Sequence, residues 1–148
     1  MSHPADVTAP YFERSTPSKA ARRTGYGMQG FVTLFLAFDC LIKLFPSEEA
    51  LQGTGDLGYS SSALLPIGLI ALACLILYLV PRTAVLGAVL WTGYLGGAIA
   101  THLRVGNPLA THTLFPIYVA ILIWGGLWLR DERLRALIPL RSRRTIDG

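Results

Sequence analysis

The sequence predicts an all-α integral membrane protein, a four-helix antiparallel bundle with both termini on the cytoplasmic side. Three observations predict it. Apolar residues make up 52% of the 148-residue chain, and the mean hydropathy of +0.47 is too high for an ordinary soluble domain. The apolar residues gather into four runs, near 25–45, 63–80, 83–103 and 113–129, each close to the ~20 residues that cross a hydrocarbon core as a helix. The basic residues lie outside these runs and mostly on one side of them.

Charge and cysteine usage narrow the function classes. The formal net charge is +4, and Lys and Arg concentrate towards the chain ends, a distribution that suits anionic headgroups. No nucleic-acid-binding module is recognisable, so no nucleic-acid partner is expected. Cys40 and Cys74 show no CxxC or zinc spacing; they read as small apolar fillers, and no metal site is expected.

Residues 1–24 form a polar tail rich in Pro, Ser and Thr that carries Arg14, Lys19, Arg22 and Arg23 just before the first apolar run. It reads as a disordered cytoplasmic tail ending in a headgroup anchor. The Arg22-Arg23 pair resembles a twin-arginine export signal, but no small-residue cleavage site follows, so no cleaved leader is expected. The first span, 25–45, contains Asp39 and Lys43, one helical turn apart with the acid first, the better order for an ion pair. Pro46 ends it.

Residues 47–62 hold three acids and no Lys or Arg. Ser47 is placed to cap a short helical turn over 48–52, after which Gly53, Gly55 and Gly58 turn the chain. A connection of this length either covers a site or is a solvated surface loop. The second span, 63–80, starts with a Ser cap and has Pro66 in its first turn. Pro81 and Arg82 make a tight turn, so the third span, 83–103, runs antiparallel beside it. After a short turn over 104–111, the fourth span, 113–129, has Pro116 near its start and Trp124 and Trp128 near its end, where the interfacial belt places aromatics. Residues 131–148 form a basic tail whose Leu134, Leu137 and Ile138 fall on one side of a short interfacial helix. Lys43 and Arg104 are the basic residues on the opposite side of the bundle from this tail. By the positive-inside rule the termini are therefore cytoplasmic, in a multi-pass protein of the plasma (inner) membrane.

Gly93, Gly97 and Thr101 recur every four residues in the third span, with Gly96 and Ala100 beside them. Small residues at this spacing are expected to let helices approach closely in lipid, within the bundle or between copies in a homo-oligomer. The helix then runs into His102 and Arg104 and a Gly106-Asn107-Pro108 turn.

Topology brings Asp39, Lys43, Thr101, His102, Arg104 and His112 to one depth near the outer leaflet. Asp39 lies ~9 Å below Phe45 along the helix, where an unpaired carboxylate is costly and an ionisable residue is by default functional. Each residue also has a plain structural role: a neutral Asp39–Lys43 pair, Lys43 snorkelling, His102 bonded to a carbonyl, Arg104 as an anchor, His112 starting a helix. An acid, a base and two imidazoles converging from three helices suit proton movement, with Asp39 and His102 as catalytic candidates. Lys43, Thr101, Arg104 and His112 are candidate ligand contacts, and Tyr59, Tyr94 and Tyr118 candidate walls. No HxxxH pair occurs and Lys43 repels cations, which speaks against metal; no nucleophile elbow is present.

The stretches FDCLIKLFP, LGYSSSALLPIGLIALACLILYLVPRTAVLGAVL and GGAIATHLRVGNP resemble the DoxX-like membrane proteins, the group related to DoxX and DoxD, over about 25–139. The resemblance implies a four-helix membrane bundle. The group takes its name from subunits of a thiosulfate:quinone oxidoreductase, and relatives are associated with membrane redox and thiol-stress systems. Lys43 matches the lysine of the first-helix pattern, and Ala100 to Arg104 match an A-x-HLR signature. Ala71 stands where many such sequences carry Glu, so Asp39 supplies the charge here or the chemistry differs. The residues themselves make no cofactor evident; quinone is the ligand the resemblance suggests. Three functions follow as expectations: a redox-linked membrane subunit that binds quinone or another small apolar molecule and meets a redox partner protein, a small membrane enzyme doing acid/base chemistry such as isomerisation or epoxide opening on a terpenoid or lipid, and a non-catalytic scaffold.

Overall fold

In lipid, an apolar run must satisfy its backbone N–H and C=O groups within itself, which leaves the helix as its solution. The computed structural model, which describes residues 17–138, contains four helices long and apolar enough to cross a membrane. The first sixteen residues of the polar N-terminal tail and the last basic residues after Ile138 lie outside the described residues.

Helix α1 covers Lys19–Leu44. It begins at Lys19 rather than at Gly25 because Ser18 caps it, its hydroxyl accepting from the Ala21 N–H at 3.1 Å. Arg22 and Arg23 are thus carried on helix. Helix α2 covers Glu48–Asp56. Ser47 caps it as expected, and the Ser47 hydroxyl, with the Glu49 backbone amide, holds the Glu49 carboxyl below its usual range. The helix runs past Gln52 and through Gly53 and Gly55, where turns were expected. Thr54 donates back to the Ala50 carbonyl at 2.8 Å, and Gly58, at φ +79°, is the glycine that turns the chain.

A single 3₁₀ turn, Ser61–Ala63, leads into α3, Leu64–Leu79. The expected serine cap is absent here: the Ser60 and Ser62 hydroxyls bond each other at 2.7 Å, and Ala63 holds the cap position. Thr83 donates to the Leu77 carbonyl at 2.8 Å and ties the tight turn into α4, Ala84–Arg104. A π-helical turn over Leu109–Thr113 precedes α5, Phe115–Arg130, and α6, Glu132–Leu137, closes the described chain. Arg135 donates to the carbonyls of Trp128 and Leu129 and stacks on the Trp128 ring at 4.6 Å, which folds α6 onto the end of α5. Leu134 is buried there, whereas Leu137 and Ile138 are exposed.

The four long helices alternate in direction. α1 packs on α3 and α5, and α4 packs on the same two from the opposite side. Val32, Leu36, Tyr78, Trp91, Ile123 and Leu127 fill the centre, and the Tyr78 hydroxyl donates to the Ile123 carbonyl at 3.3 Å. Phe31, Leu34, Leu65, Leu69 and Ile76 point outward, as a lipid-facing surface requires. One end of the bundle carries α2 and the π-helical turn; the other, the terminal end, carries the start of α1, the Pro81 turn and α6.

Close helix approach falls on glycines outside the expected stripe. A Cβ on Gly25 would stand 2.9 Å from the Gly126 carbonyl oxygen, one on Gly68 would stand 2.9 Å from the Lys43 Cβ, and one on Gly87 would collide with the Tyr78 backbone. Around Gly93, Gly96 and Gly97 a Cβ would meet nothing within 4 Å. The small-residue face of α4 therefore makes space rather than contact within the bundle.

Candidate functional site

The space at Gly93 and Gly97 belongs to a cavity of about 480 Å³ at the loop end of the bundle. Gly93, Gly97 and Ala98 form one side of it, where missing side chains leave room. Phe35, Leu36, Trp91, Leu95 and Val119 supply apolar walls. Phe115 meets Phe35 edge-on at 5.4 Å, and Trp91 meets Tyr94 edge-on at 5.1 Å, the aromatic geometry that ring quadrupoles favour. Trp91 is 0% exposed, and its indole N–H has no hydrogen-bond partner among the described residues.

The polar residues collect at the mouth. Asp39 and Lys43 form the ion pair that their spacing on α1 implies, with 30% and 21% of the side chains exposed. Both line the cavity. The absence of a side chain at Gly68 lets α3 lie against the base of Lys43, which sets the root of that flexible side chain. Thr54 of α2 and Leu57 and Tyr59 after it cover the mouth. The Tyr59 hydroxyl bonds the Thr101 hydroxyl at 2.9 Å, joining the cover to α4.

His102 and His112 arrive from different elements, with ring centroids 5.7 Å apart. Gly106, at φ +73°, folds the chain back after α4, and the Asn107 amide donates to His102 Nδ1 at 2.8 Å. An amide nitrogen can only donate, so Nδ1 accepts and the proton of the neutral ring sits on Nε2. The π-helical turn brings in the second ring: its wide backbone bonds, Leu114 N–H to the Leu109 carbonyl at 2.9 Å among them, position His112, whose Nδ1 bonds the Thr111 hydroxyl at 2.8 Å.

Asp39, Lys43, Tyr59, Tyr94, Thr101, His102 and His112 thus share one cavity. Two expected contacts lie elsewhere. Tyr118 is 51% exposed on the outer face of α5 and does not line the cavity. Arg104 also stands outside it; its guanidinium donates to the Leu57 carbonyl at 2.6 Å and lies along Gly58, clamping the cover. Replacing Arg104 with Met is expected to speed amide exchange across 57–60 several-fold, read by hydrogen exchange, while leaving the core of α4 unchanged. Unchanged exchange would show that the clamp holds nothing.

Ala71 is 0% exposed within the core. Since Gly68 packs against Lys43 and α3 runs antiparallel to α1, Ala71 lies one turn deeper, level with Asp39 and Cys40. Phe35, Trp91, Phe115, Thr54 and Thr111 are cavity residues that sequence reasoning missed. The aromatics carry no signal that separates a cavity wall from core filling, and the threonines depend on local turns. Among the described residues no three metal-ligating side chains converge.

Chemically, the site is an apolar, aromatic-walled slot with donors at its mouth, the Lys43 ammonium and His102 Nε2–H, and the Tyr94 hydroxyl two turns deeper along α4. A single carboxylate, Asp39, stands beside them. The search among curated proteins and solved structures finds no match. A family model described as the DoxX-like family matches residues 27–126, which take in every residue of this cavity. With four membrane spans and that match over most of its length, the chain belongs to the DoxX-like family.

Proposed function

We propose that this protein is a redox-linked membrane subunit that binds a small, flat, largely apolar ligand of the quinone class in the cavity at the loop end. The observation that carries the reading is the division of one cavity into an aromatic slot and a hydrogen-bonding rim. Its volume of about 480 Å³ falls within the roughly 300–1,000 Å³ of small-molecule sites, which are mostly apolar with a few convergent polar groups. A quinone supplies two-electron, two-proton chemistry when bound; the electrons come from a redox partner protein.

The chain's own residues hold the ring and manage protons. Phe35 and Phe115 offer flat faces to a ring, and the fully buried Trp91 backs the slot. Lys43 and the Nε2–H of His102 donate to carbonyl oxygens at the rim, and Asn107 keeps His102 in the tautomer that can do so. The Asp39–Lys43 pair, partly exposed, lies between the cavity and water. By the distribution of basic residues, the rim faces the outer leaflet of the plasma membrane. Acid-catalysed isomerisation or epoxide opening calls for a lone carboxyl in a dry pocket. Asp39 is paired and partly open, which gives the binding reading the stronger support.

Trp91 provides the test. In a Trp124→Phe, Trp128→Phe background it is the remaining indole. Titration with a short-chain quinone should quench its fluorescence saturably and raise the thermal midpoint of the detergent-purified protein. His102→Phe should weaken that binding about tenfold, the effect of one lost hydrogen bond near 1.4 kcal/mol. A linear, unsaturable quench with no change in midpoint would reject quinone as the ligand.

A further inference from the structure

A second cavity, of about 900 Å³, lies at the terminal end and plays no part in the reading above. Sequence and packing place three arginines around it. Arg22 and Tyr26 sit one turn apart on α1 and therefore on one face. Gly25, between them, brings α1 so close to α5 that a Cβ there would stand 2.9 Å from the Gly126 carbonyl oxygen and 3.1 Å from the Leu129 Cβ. This crossing leaves Tyr26 and Arg130 little freedom relative to each other, and the Arg130 guanidinium lies over the Tyr26 ring, 5.5 Å from its centroid. Asp131 then caps α6, its carboxylate accepting from the Arg133 and Leu134 N–H groups at 2.8 and 3.2 Å. The cap turns the chain so that Arg133 joins the same wall.

The charges there are not neutralised internally. Asp131 and Glu132 also border the cavity, yet among the described residues none of the three arginines forms an ion pair, and Asp39–Lys43 is the salt bridge present. The Arg130 Nε–H is buried without a hydrogen-bond partner among those residues. A buried donor on a charged group is costly to leave unmade, and an anionic oxygen is the acceptor that best satisfies it. Beside the guanidinium groups the wall turns apolar, through Tyr26, Leu127 and Leu137. Anionic oxygen recognition next to an apolar wall, at the end of the membrane spans, matches a phospholipid. A soluble phosphate ion would use only the first half of the site.

We propose that this pocket binds the headgroup of an anionic phospholipid. Arg22, Arg130 and Arg133 surround the phosphate, while Tyr26 and Leu137 lie against the glycerol and first acyl carbons. Guanidinium forks suit phosphate oxygens geometrically, and basic pockets between helix ends are recognised sites for such headgroups.

The full chain in nanodiscs tests this. Phosphatidylglycerol doped into phosphatidylcholine should raise the thermal midpoint by several degrees, and native mass spectrometry should find phosphatidylglycerol retained on the protein. Arg130→Gln should cut that retention about tenfold, with Arg130→Lys intermediate because it keeps charge but loses the fork. Arg133→Gln, on an exposed side chain that does not support the fold, carries the test if Arg130→Gln does not fold. Arg82→Gln, at the same end but outside the pocket, should retain lipid as the parent does. Equal retention losses in Arg82→Gln and Arg133→Gln would overturn the site in favour of diffuse attraction. The same midpoint shift from inorganic phosphate in phosphatidylcholine discs would overturn the lipid as its ligand.

Discussion

Gly87→Val is expected to leave no folded protein to purify. A Cβ on Gly87 would overlap the backbone N and Cα of Tyr78 and stand 2.8 Å from the Leu77 carbonyl carbon. Backbone atoms cannot rotate aside as a side-chain tip can. Nor can the helices separate easily, since α3 and α4 are joined by the short turn at Pro81 and tied again by the Thr83 hydroxyl to the Leu77 carbonyl. Parting them would also strip contacts from Tyr78 and Ala88, both fully buried. Gly87→Ala, the smallest change, should cost ~3 kcal/mol, the upper part of the usual range for overpacking. Valine adds two methyl groups at the same point. Thermal midpoints for the alanine variant and monodispersity on size exclusion for the valine variant measure the effect. An alanine variant as stable as the parent would mean that α3 and α4 do not meet here.

Gly97→Leu, on the same helix, should keep the bundle folded and close its cavity. No atom stands within 4 Å of a Cβ at Gly97 or at Gly93, so the new side chain has room. Leucine is the better helix former by roughly 1 kcal/mol, and stability should hold or rise. The added side chain occupies the slot, and quinone affinity read by Trp91 quenching should fall more than tenfold. Gly93→Leu should act alike. Gly27→Leu supplies the control, because Gly27 also has nothing within 4 Å of its Cβ and does not line the cavity. Undiminished quenching in both α4 variants would place the ligand outside this cavity.

These two glycines show where sequence reasoning succeeds and where it stops. A missing side chain is visible in a sequence, but what stands opposite it is not. The Gly93-Gly97-Thr101 stripe has the spacing of a packing face, yet the packing is done by Gly25, Gly68 and Gly87, none of which belongs to that stripe. The spans were legible because lipid leaves an apolar run little choice beyond a helix. The Asp39–Lys43 pair was legible because both partners sit on one helix, where spacing alone decides contact.

Elsewhere the outcome depends on backbone detail that composition does not encode. Tyr94 and Tyr118 looked equivalent, but helix phase turns the first into the cavity and the second to the outer face. The two histidines could be assigned a common depth from topology. Their approach to 5.7 Å required, besides the Gly106 turn that the Gly-Asn-Pro signal marks, the π-helical turn, which leaves no periodic trace. Arg104 followed the same rule: its partner is a backbone carbonyl of the preceding connection, a contact available only after the chain has folded back.

The cover over the slot is sewn to α4 by two stitches among the described residues, Tyr59 to Thr101 and Arg104 to Leu57. Both anchor points lie on the final turn of that helix. A small twist of α4 about its own axis would slacken both at once, so how firmly the slot is roofed is coupled to the rotational state of a single helix.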